Sequence, residues 1–252
     1  MAVLRPVFER FYAVAKNILA PGLRSSQFTY KHVLQSSIHQ EANWLDLGCG
    51  HQVFPKWMPT ADQDQLEISS RCKVLIGIDY DLRSLQQHRG LNHKIRGNIE
   101  HLPFRNQSFD LVTSNMVLEH VRDPSALLSE VHRILRPGGL FLFHTPNALG
   151  YTTLIARLLP DFVKLKLVPF LQDRPAEDVF PTYYRFNSIR KINALAHRVG
   201  FTVFELRMVE SSAQTVMLGP LVIPELLLIR LLRFEMFRNL RTNVIGVLKR
   251  EA

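Results

Sequence analysis

The residues of this chain with chemistry to offer stand at the ends of apolar runs. Residues 44 to 50 read Trp-Leu-Asp-Leu-Gly-Cys-Gly, an apolar run that stops at an acid, Asp46, and two glycines, Gly48 and Gly50. A buried parallel strand feeding a tight turn has this form. Glycine permits unusual backbone angles and lets the backbone approach a ligand closely, and Asp46 can serve a cationic or hydroxyl-bearing ligand. A second run, Val74-Leu75-Ile76-Gly77-Ile78-Asp79, also ends in an acid. An acid there can accept hydrogen bonds from both hydroxyls of a ribose. Asn98-Ile99, Asn115-Met116 and two histidines, His120 and His144, follow. A histidine beside a strand's carboxyl end can act as a general base toward an oxygen nucleophile. A structural histidine hydrogen-bonded at a helix start is the competing reading for each.

These residues need a scaffold, and the hydrophobic pattern supplies one. Apolar, β-branched runs predict strands near 43–47, 74–79, 109–114 and 139–145, with a weaker one at 93–97. Helical periodicity predicts helices near 28–39, 82–89, 124–135 and 188–199. Asp123-Pro124 opens one of them with a capping acid and a first-turn proline. Gly200 closes another, after which Phe201–Val209 and Val244–Lys249 read as the sixth and seventh strands. Alternating strand and helix predicts an α/β fold, a mainly parallel sheet with helices on both faces.

Two more stretches complete the pattern, Gly97-Asn98-Ile99-Glu100-His101-Leu102-Pro103-Phe104 and Leu135-Arg136-Pro137-Gly138-Gly139-Leu140-Phe141-Leu142-Phe143. With these four ordered motifs the chain resembles the class I S-adenosylmethionine-dependent methyltransferases, in particular the type 11 group named for ubiquinone and menaquinone biosynthesis. The resemblance covers residues 42–147, and more loosely 187–209 and 244–249. It implies a three-layer Rossmann-like fold with a seven-stranded, mostly parallel sheet, and S-adenosyl-L-methionine as cofactor. It implies that Asp46, Gly48, Cys49 and Gly50 hold the methionine end, and that Asp79, with Tyr80 beside it, binds the ribose. Asn98 then accepts from the adenine edge, Ile99 contacts the ring, and Asn115 and Met116 lie beside the methionine moiety. Two departures stand out. His51 and Gln52 replace the Thr-Gly of many members, and Asn98 replaces the commoner Asp. The amide oxygen of Asn98 can still accept from an amino group.

Composition is that of an ordinary globular protein: 252 residues, 46% hydrophobic and 21% charged, enough for a full core. We expect one methyltransferase domain over 1–252, with a helical cap at 1–41, a cofactor-binding core at 42–147, and substrate-side insertions at 148–186 and 210–243. The two cysteines, Cys49 and Cys72, read as unpaired thiols in a reducing compartment, which suits the cytoplasm. His88 and His93 lack partners at zinc spacing, so no metal is expected. The first 20 residues carry Arg5, Glu9, Arg10 and Lys16 among apolar positions at helical intervals, an amphipathic helix rather than a secretory signal.

The formal net charge of +9 bears on partners. Arg230, Arg233, Arg238 and Arg241 follow the apolar stretch Val216–Leu232, which Pro220, Pro224, Glu225 and Arg230 interrupt too often for a spanning helix. A solvated helix face is the ordinary explanation. An anionic membrane surface, met peripherally from its inner face, is next. Nucleic acid ranks behind it, for want of an RNA-binding module or stacking motif. A homodimer interface would also use the apolar run. The expected activity is methyl transfer, at oxygen, to a small-molecule, lipid- or glycan-linked acceptor, with Tyr183 and Tyr184 in the acceptor pocket. The alternatives are an RNA methyltransferase, a catalytically silent cofactor-binding protein, and a nicotinamide-binding enzyme. The last is disfavoured because the interval from Gly48 to Asp79 exceeds the roughly 20 residues of a dinucleotide site.

Overall fold

The computed structural model describes residues 4–159 and 181–251. Seven strands form one sheet: β1 (Ala42–Leu47), β2 (Cys72–Asp79), β3 (His93–Arg96), β4 (Phe109–Asn115), β5 (Leu135–Pro146), β6 (Phe201–Val209) and β7 (Asn243–Arg250). Their order across the sheet is β3-β2-β1-β4-β5-β7-β6. The pairings among β1 to β5 are parallel. The chain therefore reverses its lateral direction after β3, and the carboxyl ends of β1 and β4 become neighbours at the switch point where ligands of open α/β sheets sit. The helices are α1 (Arg5–Leu19), α2 (Ser26–Ser37), α3 (Ala61–Arg71), α4 (Leu82–Gln87), α5 (Pro124–Ile134), α6 (Tyr151–Leu158), α7 (Ile189–Val199) and α8 (Val222–Leu232).

Local signals set most boundaries. Asp81 caps α4 by accepting from the Arg83 and Ser84 N–H groups, and Asp123 caps α5 by accepting from Ser125 and Ala126. Gly200, at φ 95°, ends α7 in the left-handed conformation. The fifth strand begins at Leu135, earlier than its apolar run suggests. Phe109 pairs with Leu135 but Leu111 pairs with Leu140, so Arg136 to Gly139 bulge out while the ladder continues on both sides. Arg136 anchors that bulge by chelating Asp110 at 2.7 and 2.9 Å. Helix α3 had no sequence forecast. Its inward positions include Asp64 and Gln65, which bond Thr60 Oγ1 (2.8 Å) and the Val53 N–H (3.0 Å). Polar residues at buried positions erase the hydrophobic period that would announce it.

The chain divides into two compact units. Thr29–Thr145, Thr182–Arg207 and Val244–Ala252 make one, which carries the sheet core. Met1–Phe28, Pro146–Pro181 and Met208–Asn243 make the other. In this second unit Ala20, Leu23, Ala213, Val222, Leu226 and Ile229 pack together, with Phe11, Tyr12, Ala15 and Leu19 of α1 laid against them. The amphipathic N-terminal helix thus forms as expected, yet none of its residues is fully buried. Glu225 anchors α8. Its carboxylate accepts from the Tyr151 hydroxyl (2.8 Å), the Gln214 and Thr215 N–H groups (2.8 Å each) and the Thr215 hydroxyl (2.5 Å). A buried carboxylate is tolerated when its lone pairs are filled this way.

One sequence expectation is corrected here. The spacing groups Arg241 with Arg230, Arg233 and Arg238 on a solvated or membrane-facing side, but its guanidinium turns inward. It donates to the carbonyls of Leu232 (3.0 Å), Arg233 (3.0 Å) and Met208 (3.3 Å) and to Glu235 Oε1 (3.0 Å). It closes the end of α8, whose last carbonyls lack helical partners. Part of the 148–186 insertion, including the polar run 173–178, lies outside the described residues.

Core packing in the sheet unit is tight enough to test. A Cβ on Gly246 would lie 2.2 Å from Phe143 Cζ, and Phe143 is fully buried. Gly246→Ala is expected to lower unfolding free energy by about 1–3 kcal/mol, as overpacked cores do. A denaturation midpoint equal to wild type would show that this contact relaxes freely.

Candidate functional site

The site begins where β1 stops. Gly48 and Gly50 both have positive φ, 63° and 56°. This conformation suits glycine. At Gly48 sterics add a second requirement, because a Cβ would lie 2.4 Å from Val117 Cγ2, whereas a Cβ on Gly50 would meet nothing within 4 Å. The turn is tied to β2 by N–H donation from Gly48 (2.8 Å) and Cys49 (3.3 Å) to the Ile78 carbonyl. Cys49 is buried, and burial pushes its thiol far up, so it contributes packing rather than a thiolate.

Asp79 joins the loops after β1 and β2. Its Oδ2 accepts from the Gly50 N–H and its Oδ1 from the Asp81 N–H, both at 2.8 Å. Each carboxylate oxygen keeps a lone pair for a further donor. This acid is therefore oriented before any ligand arrives. Tyr80 beside it is exposed, with the Arg96 guanidinium 5.6 Å from its ring centroid.

Asp46 lies deeper. It accepts from the Thr113 hydroxyl at 2.6 Å, and that hydroxyl accepts from Trp44 Nε1 at 2.7 Å. Burial pushes the Asp46 carboxyl up to about 7; Thr113 opposes that rise and the charge of Asp79 adds to it. Tyr30, fully buried, is held neutral by burial and by the same carboxylate. A desolvated acid near neutrality gains most from a cationic ligand, which would draw it back into its ionised form.

On the next loop Asn98 Oδ1 accepts from the Glu100 N–H at 2.9 Å, an Asx turn that fixes the side chain and leaves the oxygen a second lone pair. Ile99 is half-buried beside it. Glu100 reaches across to accept from the Arg122 (2.9 Å) and Asp123 (2.8 Å) N–H groups. Asn98 and Ile99 are thus tethered to the segment that follows β4.

The end of β4 holds the remaining candidates. Asn115 Oδ1 is 2.8 Å from His144 Nδ1, and Met116, at φ 60°, donates its N–H to the His144 carbonyl at 2.7 Å. His144 is fully buried and stacks on Tyr30 with centroids 5.6 Å apart. Burial lowers its pKa to about 3, so it stays neutral. His120 is more accessible, and its Nε2 lies 3.8 Å from Glu119 Oε1. Glu119 is buried, with its Oε2 accepting from Thr145 Oγ1 at 3.1 Å. Asn187 Nδ2 donates to the same Thr145 hydroxyl, while its buried Oδ1 has no partner among the described residues. Tyr183 and Tyr184 send their N–H groups to the Glu119 carbonyl at 2.7 and 3.3 Å. Two guanidiniums approach the Tyr183 ring, Arg122 at 5.8 Å and Arg185 at 5.6 Å from its centroid.

The fold therefore ties Gly48, Cys49 and Gly50 by hydrogen bonds to Ile78 and Asp79, leaves Asp46 deeper on Thr113, and pairs Asn115 with His144. Sequence reasoning missed Tyr30, Thr113, Glu119 and Asn187. Thr113 and Glu119 had a weak signal, since each is a polar residue bordering an apolar run. Among the described residues no three His, Cys, Asp or Glu side chains gather to hold a metal. The site fits S-adenosylmethionine: glycine backbone that allows close approach, one carboxylate set for paired hydroxyls, and another suited to a cationic group.

Comparison with known proteins agrees. A family model described as a methyltransferase domain matches residues 22–206. A protein named "Probable S-adenosylmethionine-dependent methyltransferase" from Mycolicibacterium smegmatis is 31% identical over 140 residues, 52% of this chain and 51% of that one. A malonyl-[acyl-carrier protein] O-methyltransferase from Yersinia pestis is 33% identical over 101 residues, 40% of this chain and 35% of the relative. The chain thus spans about half the length, or less, of these curated relatives. Among solved structures, an S-adenosylmethionine dependent methyltransferase from Mesorhizobium loti superposes with a TM-score of 0.57 at 18% identity, covering 90% of this chain and 98% of its own, a likeness of fold. With its strand order, its glycine turn and its two strand-end acids, this chain belongs to the class I S-adenosylmethionine-dependent methyltransferases.

Proposed function

We propose that this protein transfers a methyl group from S-adenosylmethionine to an oxygen atom of a small or carrier-linked acceptor, the carrier being a lipid, a glycan or an acyl-carrier group. The observation that carries the reading is the Asp79 carboxylate, fixed by the Gly50 and Asp81 N–H groups with a lone pair on each oxygen still open. Oxygen is favoured by the setting of His120, a half-exposed imidazole beside a buried glutamate. It is favoured also by relatives whose printed name specifies O-methylation of a carrier-bound malonyl group. The same reading places the protein in the cytoplasm, peripheral to the inner face of a membrane when the acceptor is lipid-linked.

Roles follow from the chemistry of each group. When bound, the cofactor supplies a methyl already made electrophilic by its sulfonium, so the protein's task is alignment and proton removal. Asp79 holds the ribose hydroxyls. Asn98 offers its second lone pair to the adenine amino group, and Ile99 packs on the ring. Asp46 and the Gly48–Gly50 backbone hold the methionine end. His144, buried and neutral, exchanges no proton with an acceptor. It orients Asn115, which lies beside that end. His120 takes the proton of a hydroxyl acceptor at Nε2, and the nearby Glu119 carboxylate stabilises the imidazolium that forms; a carboxylate acceptor is already ionised and needs only alignment.

Asp79→Ala is expected to weaken S-adenosylmethionine binding more than tenfold, given about 1.5–3 kcal/mol per charge-assisted bond. Calorimetry showing equal affinity in mutant and wild type would remove Asp79 from the site.

His120→Ala is expected to lower turnover by roughly 10²–10⁴-fold while calorimetric affinity for the cofactor stays unchanged. Unaltered turnover with a responsive acceptor would return His120 to a structural role.

Asp46 gives a pH test. Its folded pKa, about 7, lies above the ordinary 3.8, so the stability it contributes is present at low pH and lost as pH rises through about 7. Relative to Asp46→Asn, which stays neutral, the ligand-free wild type should become progressively less stable between about pH 4 and pH 7. Binding of the cationic cofactor should release close to one proton at about pH 6 and almost none at about pH 8. Melting curves that run parallel for the two proteins across this range would show that Asp46 is ionised throughout.

A further inference from the structure

The outer faces of α1 and α8 are more apolar than their own packing requires. Helix α8 reads Val-Ile-Pro-Glu-Leu-Leu-Leu-Ile-Arg-Leu-Leu, apolar nearly all round. Only one side is used inside the unit, where Val222, Leu226, Ile229 and Leu232 are buried. On the opposite side Leu227 and Leu231 are 49% and 45% exposed, with the exposed Arg230 on the flank of the pair and Phe234 just past the helix end. A helix with no polar face is ordinarily covered by something.

Helix α1 repeats the pattern. Its core-facing residues are Phe11, Tyr12, Ala15 and Leu19. Leu4, Val7, Val14 and Ile18 are all more than half exposed. At 100° per residue they fall within an arc of about 80° that borders the core-facing side at Phe11. The two helices touch. Near their carboxyl ends Ile18, Leu19, Pro21, Arg230, Arg233 and Phe234 line an open recess of about 330 Å³. The Arg230 guanidinium has no hydrogen bond or ion pair among the described residues, while the Arg230 carbonyl accepts from the Arg233 N–H at 3.3 Å. Arg233 spends one nitrogen on the Pro21 carbonyl at 2.9 Å and lies 3.8 Å from Glu210. No helix among the described residues is long and apolar enough to cross a membrane.

We infer that this face of the α1–α8 unit docks on an anionic phospholipid surface, with the leucines and Phe234 entering the acyl boundary and Arg230 and Arg233 meeting lipid phosphates. The choice of a membrane over a protein partner rests on charge. An exposed apolar face flanked by guanidiniums, on a chain of net charge +9, complements a negatively charged lipid layer. Two copies meeting through the same face would bring Arg230 and Arg233 against their own kind, which costs energy. The inference gives the peripheral-membrane reading a specific surface, and it does not depend on which acceptor is methylated.

The test is vesicle co-sedimentation of the full chain, without cofactor, using phosphatidylcholine alone and phosphatidylcholine with phosphatidylglycerol. Binding is expected only to the anionic vesicles and should fall with salt. Arg230→Gln should weaken it about fivefold, the effect of one basic residue near a charged surface. Leu227→Gln with Leu231→Gln should weaken it about tenfold or more. All these residues are exposed, and matching far-ultraviolet spectra would confirm intact folding. Absence of sedimentation at low salt, or equal sedimentation with neutral vesicles, overturns the inference. So does a stable dimer that the double leucine variant dissociates, which would assign the face to a second copy. Calorimetric binding of S-adenosylmethionine in the same preparations reads the methyl-transfer proposal separately.

Discussion

The arrangement of the site depends on one carboxylate. Asp79 accepts from the backbone of two different loops, through Gly50 and Asp81, and so fixes the turn after β1 relative to the end of β2. The geometry is available because β1 and β2 are adjacent, parallel and in register, Leu47 opposite Ile78. It also requires the turn to run through left-handed backbone at Gly48 and Gly50. With the loops fixed, the remaining lone pairs of Asp79 point where those hydrogen bonds leave them.

A second constraint lies one strand over. Trp44, Thr113 and Asp46 form a short donor chain inside the sheet, and it ends on an acid whose burial raises its pKa to about 7. Burying a carboxylate is costly unless charge or hydrogen bonds compensate. Here one hydroxyl compensates in part, and the raised pKa is what remains of the cost. His144 shows the opposite resolution. Its ring is buried neutral, stacked on Tyr30 and bonded to Asn115, so desolvation is answered by removing the charge. Two titratable side chains, on β1 and β5 with β4 between them, are thus shifted in opposite directions by the same desolvation.

The unit built from α1, α6 and α8 follows a different logic. Glu225 receives four donors and fixes α8, and Arg241 closes the helix end on backbone carbonyls. These polar anchors carry the internal order. The apolar side chains on the outer faces are therefore surplus to folding.

The sequence alone determined the parts that follow from short-range rules. Apolar runs ending in Asp46 and Asp79, the glycine turn, the Asp123-Pro124 start and the Gly200 stop each encode a local geometry, and the strands and caps lie at or near those positions. Strand alternation with helices was enough for the α/β sheet. Tertiary structure decided what depends on neighbours distant in sequence. Helix α3 was illegible because its inward positions are polar and are satisfied by partners such as Val53. His120 and His144 read alike along the chain, yet burial against Tyr30 makes one a neutral ring while the other stays accessible. Arg241 looked like its neighbours until the fold folded it onto three carbonyls. A residue's type and spacing state what it can do, whereas its desolvation and its partners, set by contacts across the fold, state which of those things it does.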